Sequence, residues 1–251
     1  MRGLGPIGSG DGVVPGLVDV GAALADVSAI GPFYEIDTLM AGPGWVPMSG
    51  LIDGCDLAVR IDVTLDALRR RIDRDDVDVR VAASLVQLNL SARLLSPAIA
   101  LAARYSVVPQ LSLSTLRWQP RLGGAAPVGV RHPRVFHGGS TAKLAALIDE
   151  HVLLPSVEPL MTATGITVKI SPQVLRGNVG SAFAGAAAVI AAQDPSAGDR
   201  ARALVQLLLD TTPRAGTGHY VDGRFHRRSC CLYYRIEPSA GTCADCVLGT
   251  V

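Results

Sequence analysis

The sequence predicts an α+β fold, with a helix-rich N-terminal half over residues 16–118 and a C-terminal half, 119–251, that mixes helix with antiparallel sheet and ends in a cysteine-rich hairpin. Three observations predict it. Apolar residues recur at helical spacing through most of the N-terminal half. Gly and Pro crowd residues 119–139, where that spacing stops. Four of the five cysteines fall between Cys230 and Cys246, beyond the last helical stretch.

Composition bounds the function. Hydrophobic residues make up 49% of the chain and charged residues 18%, a globular balance that excludes disorder. The net charge is +1, so no global field attracts nucleic acid or an acidic membrane. Mean hydropathy is high at +0.33, yet the longest apolar run, Ala182 to Ala192, is shorter than a membrane-spanning helix needs, so no integral membrane segment is expected. Residues 1–15 are rich in Gly and Pro with no apolar core, which reads as a flexible arm and not a signal peptide. The expectation is a cytoplasmic protein.

The elements follow in order. Leu17, Val20, Leu24 and Val27 share one helical face. Gly42, Pro43, Gly44 and Pro47 break the next stretch into loop. Thr64 to Arg74 reads as helix, and Asp75 or Asp76 caps a second helix running to about Leu95. Ser96-Pro97 then opens a separate helix to Tyr105. Val107 to Trp118 reads as strand, followed by a hairpin across Gly123-Gly124. Ser140 or Thr141 caps a helix through His151, with Pro155 and Pro159 as punctuation. Ser171-Pro172 opens an Ala-rich helix in which Gly177, Ser181, Gly185 and Ala188 form a stripe where a second backbone can approach. Asp194-Pro195 ends it, and Ala197 to Thr211 forms the last helix. His219 to Phe225 is extended.

The cysteines are spaced C-C-x11-C-x2-C at Cys230, Cys231, Cys243 and Cys246. In a reducing compartment such clustering reads as metal ligation before disulfide. Cys243-x-x-Cys246 can turn both sulfurs toward one centre. Leu232 to Glu237 alternates as a short strand, and Pro238 to Gly241 is turn chemistry, so the chain can fold back and gather all four thiols. The vicinal pair separates the candidates. Zinc sites draw ligands from C-x2–4-C pairs, and adjacent strand residues point to opposite faces. A two-iron cluster has more reach than one zinc ion, which favours iron–sulfur over structural zinc; a catalytic dithiol would leave Cys230-Cys231 without a role. Cys55 stands alone and reads as a buried, inert thiol. His137, His151 and His219 have no ligand spacing.

The run RRSCCLYYRI…GTCADCVL resembles the C-terminal signature of the FhuF-like ferric siderophore reductases, which has the form C-C-x10-C-x2-C. Ser96-Pro97, the LRWQP stretch with Trp118, and GNVGSAF from Gly177 to Phe183 are also similar, extending the resemblance from about Val79 to Leu248. Two departures stand out. The spacer has eleven residues, and Arg176 occupies the position before Gly-Asn where the family usually has an aromatic. The resemblance implies a cytoplasmic 2Fe–2S protein, with the cluster in segment 226–251 on Cys230, Cys231, Cys243 and Cys246. It would reduce iron(III) in an imported hydroxamate-type siderophore. No G-x-G-x-x-G or P-loop is present, so the expected electron source is a ferredoxin-like partner. Arg224, His226, Arg227 and Arg228 precede the first ligand and form a candidate dock for that acidic partner or for an anionic ferric siderophore. A 2Fe–2S electron carrier without siderophore turnover and a structural-zinc interaction module are the alternatives.

Overall fold

A computed structural model describes residues 18–121, 123–211, 214–236, 243 and 245–248. Eight α-helices supply most of it: α1 Val20–Ser28, α2 Gly50–Asp53, α3 Asp56–Ile72, α4 Val79–Tyr105, α5 Thr141–Ile148, α6 Glu158–Thr167, α7 Pro172–Gln193 and α8 Pro195–Asp210. A π-helical segment, Asp149–Val157, joins α5 to α6. The seven strands are short: β1 Val46–Pro47, β2 Val107–Pro109, β3 Arg117–Trp118, β4 Val128–Gly129, β5 Val135–His137, β6 Gly218–Val221 and β7 Arg224–Arg227. They form three small antiparallel sheets ordered β1-β3-β4, β2-β5 and β6-β7, so the α+β expectation holds.

The centre is α4 against α7, with α8 covering both. One apolar core runs from Ala23 to Phe225 and draws on both halves of the chain. α4 and α7 are each long and apolar enough to cross a bilayer, but 78% and 67% of their most apolar stretches are buried inside the protein. That burial is why their sequences are apolar on nearly every side.

The helix caps follow the sequence in kind. Asp78, not Asp75 or Asp76, caps α4 by accepting from the Arg80 amide. Ser140, Ser171 and Asp194 cap α5, α7 and α8 through their side chains. The hairpin across Gly123-Gly124 forms between β3 and β4, both glycines having positive φ.

Three expectations need correction. No break occurs at Ser96-Pro97: α4 runs through Pro97, because Arg93 to Ala103 are all buried and packing offsets the one backbone bond that proline removes. Pro155 does not end its helix either, since the chain widens into π turns around it. That widening frees carbonyls at His151 and Pro155, which accept from the Leu111 and Leu113 amides at 3.0 and 3.3 Å. The same bonds explain why Val107 to Trp118 is not one strand: its middle docks on the π segment instead of pairing in a sheet.

Arg93 sits in mid-α4 at 1% exposure and donates to the carbonyls of Ala126 (2.8 Å), Phe33 (3.0 Å) and Glu35. It ties the loop after α1 and the β3–β4 hairpin to the central helix. Burial pulls its guanidinium down to about 10, still charged at neutral pH. Arg93→Met strands those carbonyls, and urea unfolding should show a loss of about 2–4 kcal/mol.

Candidate metal centre

β7 carries the chain to the cysteines. Phe225 and Arg227 turn inward and Arg224 is exposed, with His226 half-buried. Past β7, Ser229 Oγ donates to the Gln173 carbonyl at 2.8 Å, laying the segment along the first turns of α7. A Cβ added at Gly177 would come within 2.1 Å of Ser229 Oγ and 2.8 Å of an Arg227 guanidinium nitrogen. Glycine at 177 is therefore what lets the cysteine segment lie on the helix.

Arg227 is 1% exposed. One guanidinium nitrogen donates to Asn178 Oδ1 at 2.9 Å and to the Val174 carbonyl at 3.2 Å. Among the described residues it has no carboxylate partner within ion-pair distance, and its Nε has no acceptor. Asn178 in turn donates to Ser84 Oγ and carbonyl, both at 3.0 Å, and to Gln87 Oε1 at 2.9 Å; Gln87 donates to Ser91 Oγ at 3.0 Å. A buried polar chain thus leads from α4 through α7 to the arginine before the cysteines.

The expected strand from Leu232 does not form. Leu232 adopts a left-handed backbone (φ 69°) and Tyr233–Arg235 closes a 3-10 turn. In a strand the vicinal thiols would face opposite ways; the left-handed turn at Leu232 breaks that alternation. Arg235 pairs with Asp78 at 2.9 Å, pinning this turn to the N-cap of α4. Leu232 packs on a small apolar group of Ile170, Val174 and Leu175. The Pro238–Gly241 turn lies outside the described residues.

The second pair returns to the same place. The Cys246 amide donates to the Cys243 carbonyl at 3.0 Å, closing the C-x-x-C turn. Between them, Asp245 binds both neighbours: its carbonyl accepts from the Arg227 amide at 3.1 Å, and its carboxylate accepts from Ser181 Oγ. Cys231 and Cys243 sulfurs lie 3.5 Å apart. Leu232 and Leu248 amides donate to the Cys230 and Cys246 sulfurs at 3.2 and 3.3 Å. Cys231 and Cys246 are buried, Cys230 and Cys243 half-buried.

The thiols are electrostatically coupled. The hydrogen bond from Cys243 pulls the Cys231 thiol down to about 6, and donating that bond holds Cys243 far above the usual thiol range. Burial raises Cys230. Arg227 favours the thiolate at both Cys230 and Cys231.

This donor set fits a binuclear cluster. Tetrahedral thiolate coordination at about 2.3 Å puts neighbouring sulfurs about 3.8 Å apart, close to the Cys231–Cys243 separation. Among the described residues no three His, Cys, Asp or Glu donors converge on one ion-sized point. Cys231 and Cys243 form one of the two close pairs that two irons on four cysteines use. Backbone N–H groups already aim at sulfur, and a buried cation awaits a net negative charge.

Residues 227–248 match the family model described as FhuF 2Fe–2S C-terminal domain. That family is named for a 2Fe–2S cluster, the group this donor set fits. The match favours iron–sulfur over the structural-zinc alternative. The match begins at Arg227 and ends at Leu248, whereas the resemblance drawn from the sequence reached back to about Val79. No curated protein matches the chain.

The basic stretch before Cys230 divides. Arg224 and Arg228 are exposed and His226 is half-buried beside His219, its cross-strand partner. Arg227 cannot dock a partner, because it is buried against α7; the strand's alternation turns it inward. Cys55 also departs from expectation: it is exposed at the start of α3, not buried. Arg117, Arg121, Arg131 and His132 are exposed as well. The sequence reading missed Ser84, Gln87, Asn178 and Asp245 as supports. The available signal was polar side chains at positions where an apolar helical face should continue.

Two outcomes follow from this geometry. Gly177→Ala should displace the segment, costing about 1–3 kcal/mol by overpacking and lowering iron content, with far-ultraviolet dichroism unchanged. Arg227→Gln should lower the cluster's reduction potential by an amount on the order of tens of millivolts, measured by dye-mediated titration, because the reduced form carries the extra negative charge. Arg227→Lys should largely restore it.

Proposed function

We propose that the protein reduces iron(III) held in a hydroxamate-type siderophore to iron(II) and so releases the metal, in the cytoplasm, with electrons from a ferredoxin-like protein. The match of residues 227–248 to the FhuF 2Fe–2S C-terminal domain carries this reading. Cys231 and Cys243 would hold one iron, and Cys230 and Cys246 the other. When bound, the group supplies one electron at a time at a potential set by its charge and hydrogen-bond surroundings.

The reaction asks little else of the chain. Hydroxamate oxygens hold hard iron(III) tightly and softer iron(II) weakly, so one electron in, from the donor, and iron(II) out, to any acceptor, completes the balance. No acid–base residue is required. The residues must keep the thiols near the surface, exclude excess water and offset negative charge. Half-buried Cys230 and Cys243 meet the first requirement, the packing of Leu232 the second, and Arg227 the third. Exposed Arg224 and Arg228 lie near enough in sequence to receive an acidic donor.

The test is anaerobic turnover of a ferric trihydroxamate with a ferrous-specific chromogenic trap, using a reduced ferredoxin as donor. Ferrous release that requires the ferredoxin and falls at least tenfold in Cys243→Ser supports the proposal. No release above the ferredoxin-only rate contradicts it, and rapid release with NADPH alone would remove the ferredoxin from it.

A further inference from the structure

A cavity of about 820 Å³ opens beside the cysteine segment. It is bounded by the loop after α1, the outer side of α4, the small-residue stripe of α7 and the β6–β7 hairpin. Its volume is that of a small-molecule site. The wall is mainly apolar, with Phe33, Leu88 and Val189 among the larger residues.

The stripe expected to admit a second backbone divides along its length. Gly177 and Ser181 receive the cysteine segment, through Arg227 and Ser229 at the first and Asp245 at the second. Among the described residues Gly185 and Ala188 receive nothing: both are exposed on the cavity, and a Cβ at Gly185 would meet no atom of them within 4 Å. From Ser181 to Ala188 is roughly 10 Å at 1.5 Å per helical residue. One end of the cavity is thus Asp245, between two of the cysteines, and the rest is an apolar trough leading away.

Polar groups are few. Arg224 is exposed at the wall and has no carboxylate partner among the described residues. The Tyr220 hydroxyl is buried there without a hydrogen-bond partner among the described residues. A cation and an unused hydroxyl suit an oxygen-rich head group, and the trough suits a hydrocarbon arm.

Resting on the reductase reading, we propose that this cavity binds an amphiphilic ferric chelate, with its oxygen-ligated iron head toward Arg224, Tyr220 and Asp245 and an alkyl or acyl arm lying along Gly185 and Ala188. The substrate class is then an acylated chelate, not a compact hydrophilic one. Continuity with the cysteine loop places the head at the end where an electron leaves the protein.

Redox-inert gallium(III) separates binding from reduction. The holoprotein is titrated calorimetrically with a gallium trihydroxamate and with the same chelate bearing a dodecanoyl arm. Gly185→Leu fills the open trough, and its thermal stability should hold or rise because glycine is a poor helix former. The acylated chelate should bind wild type at least tenfold more tightly than the bare one. Gly185→Leu should abolish that preference with the visible spectrum unchanged. Equal affinity of wild type for both chelates, or a preference that survives Gly185→Leu, would overturn the proposal. Acyl-selective gallium binding without ferrous release would leave the cavity assigned and remove the reductase reading; ferrous release without acyl selectivity would do the reverse.

Discussion

The arrangement depends on a buried guanidinium that, among the described residues, has no carboxylate within ion-pair distance. Arg227 lies at 1% exposure against α7, held by Asn178 and a backbone carbonyl. Taking a cation out of water costs several kcal/mol unless an anion or full hydrogen bonding compensates. Neutral partners supply only part of that. A cluster of four thiolates and two sulfides around two ferric ions is net negative and would supply the rest. The polar chain through Asn178, Gln87 and Ser84 then makes sense as the mounting for one charge: it fixes the guanidinium without neutralising it.

α7 is the element that converts this constraint into a site. Its first half is a seat, where Gly177 admits the chain, Asn178 holds the arginine and Ser181 holds Asp245. Its second half presents small residues to an open trough. Its buried sides bind it to α4 and α8, so the cysteines rest on the packed centre of the fold although they come late in the chain. That division of labour suits electron transfer, which needs fixed positions and little motion.

The sequence made the chemistry legible and the supports much less so. Four cysteines in a short window could be read directly because thiol clustering has few other causes. Caps such as Ser140 and Ser171 were legible because capping is local chemistry. Pro97 and Pro155 misled because tertiary packing and π widening overrode a local rule. The vicinal cysteines were expected beside a strand, since Leu232 to Glu237 alternates, but so short an alternation also fits a turn packed on one side. Arg227 read as a surface charge among neighbours of the same sign, and only its position on the inward side of β7 separates it from Arg228. Asn178 showed only as a polar side chain on an otherwise apolar helical face, and the partners of Asn178 and Asp245 are distant in the chain.

The most direct test is to purify the protein without oxygen and record its visible spectrum with iron, sulfide and zinc analysis. The account predicts a reddish-brown protein that bleaches with dithionite and holds about two irons and two sulfides per chain, the contents of a 2Fe–2S site. A colourless protein with about one zinc per chain would contradict it, placing a single redox-inactive ion among the thiols.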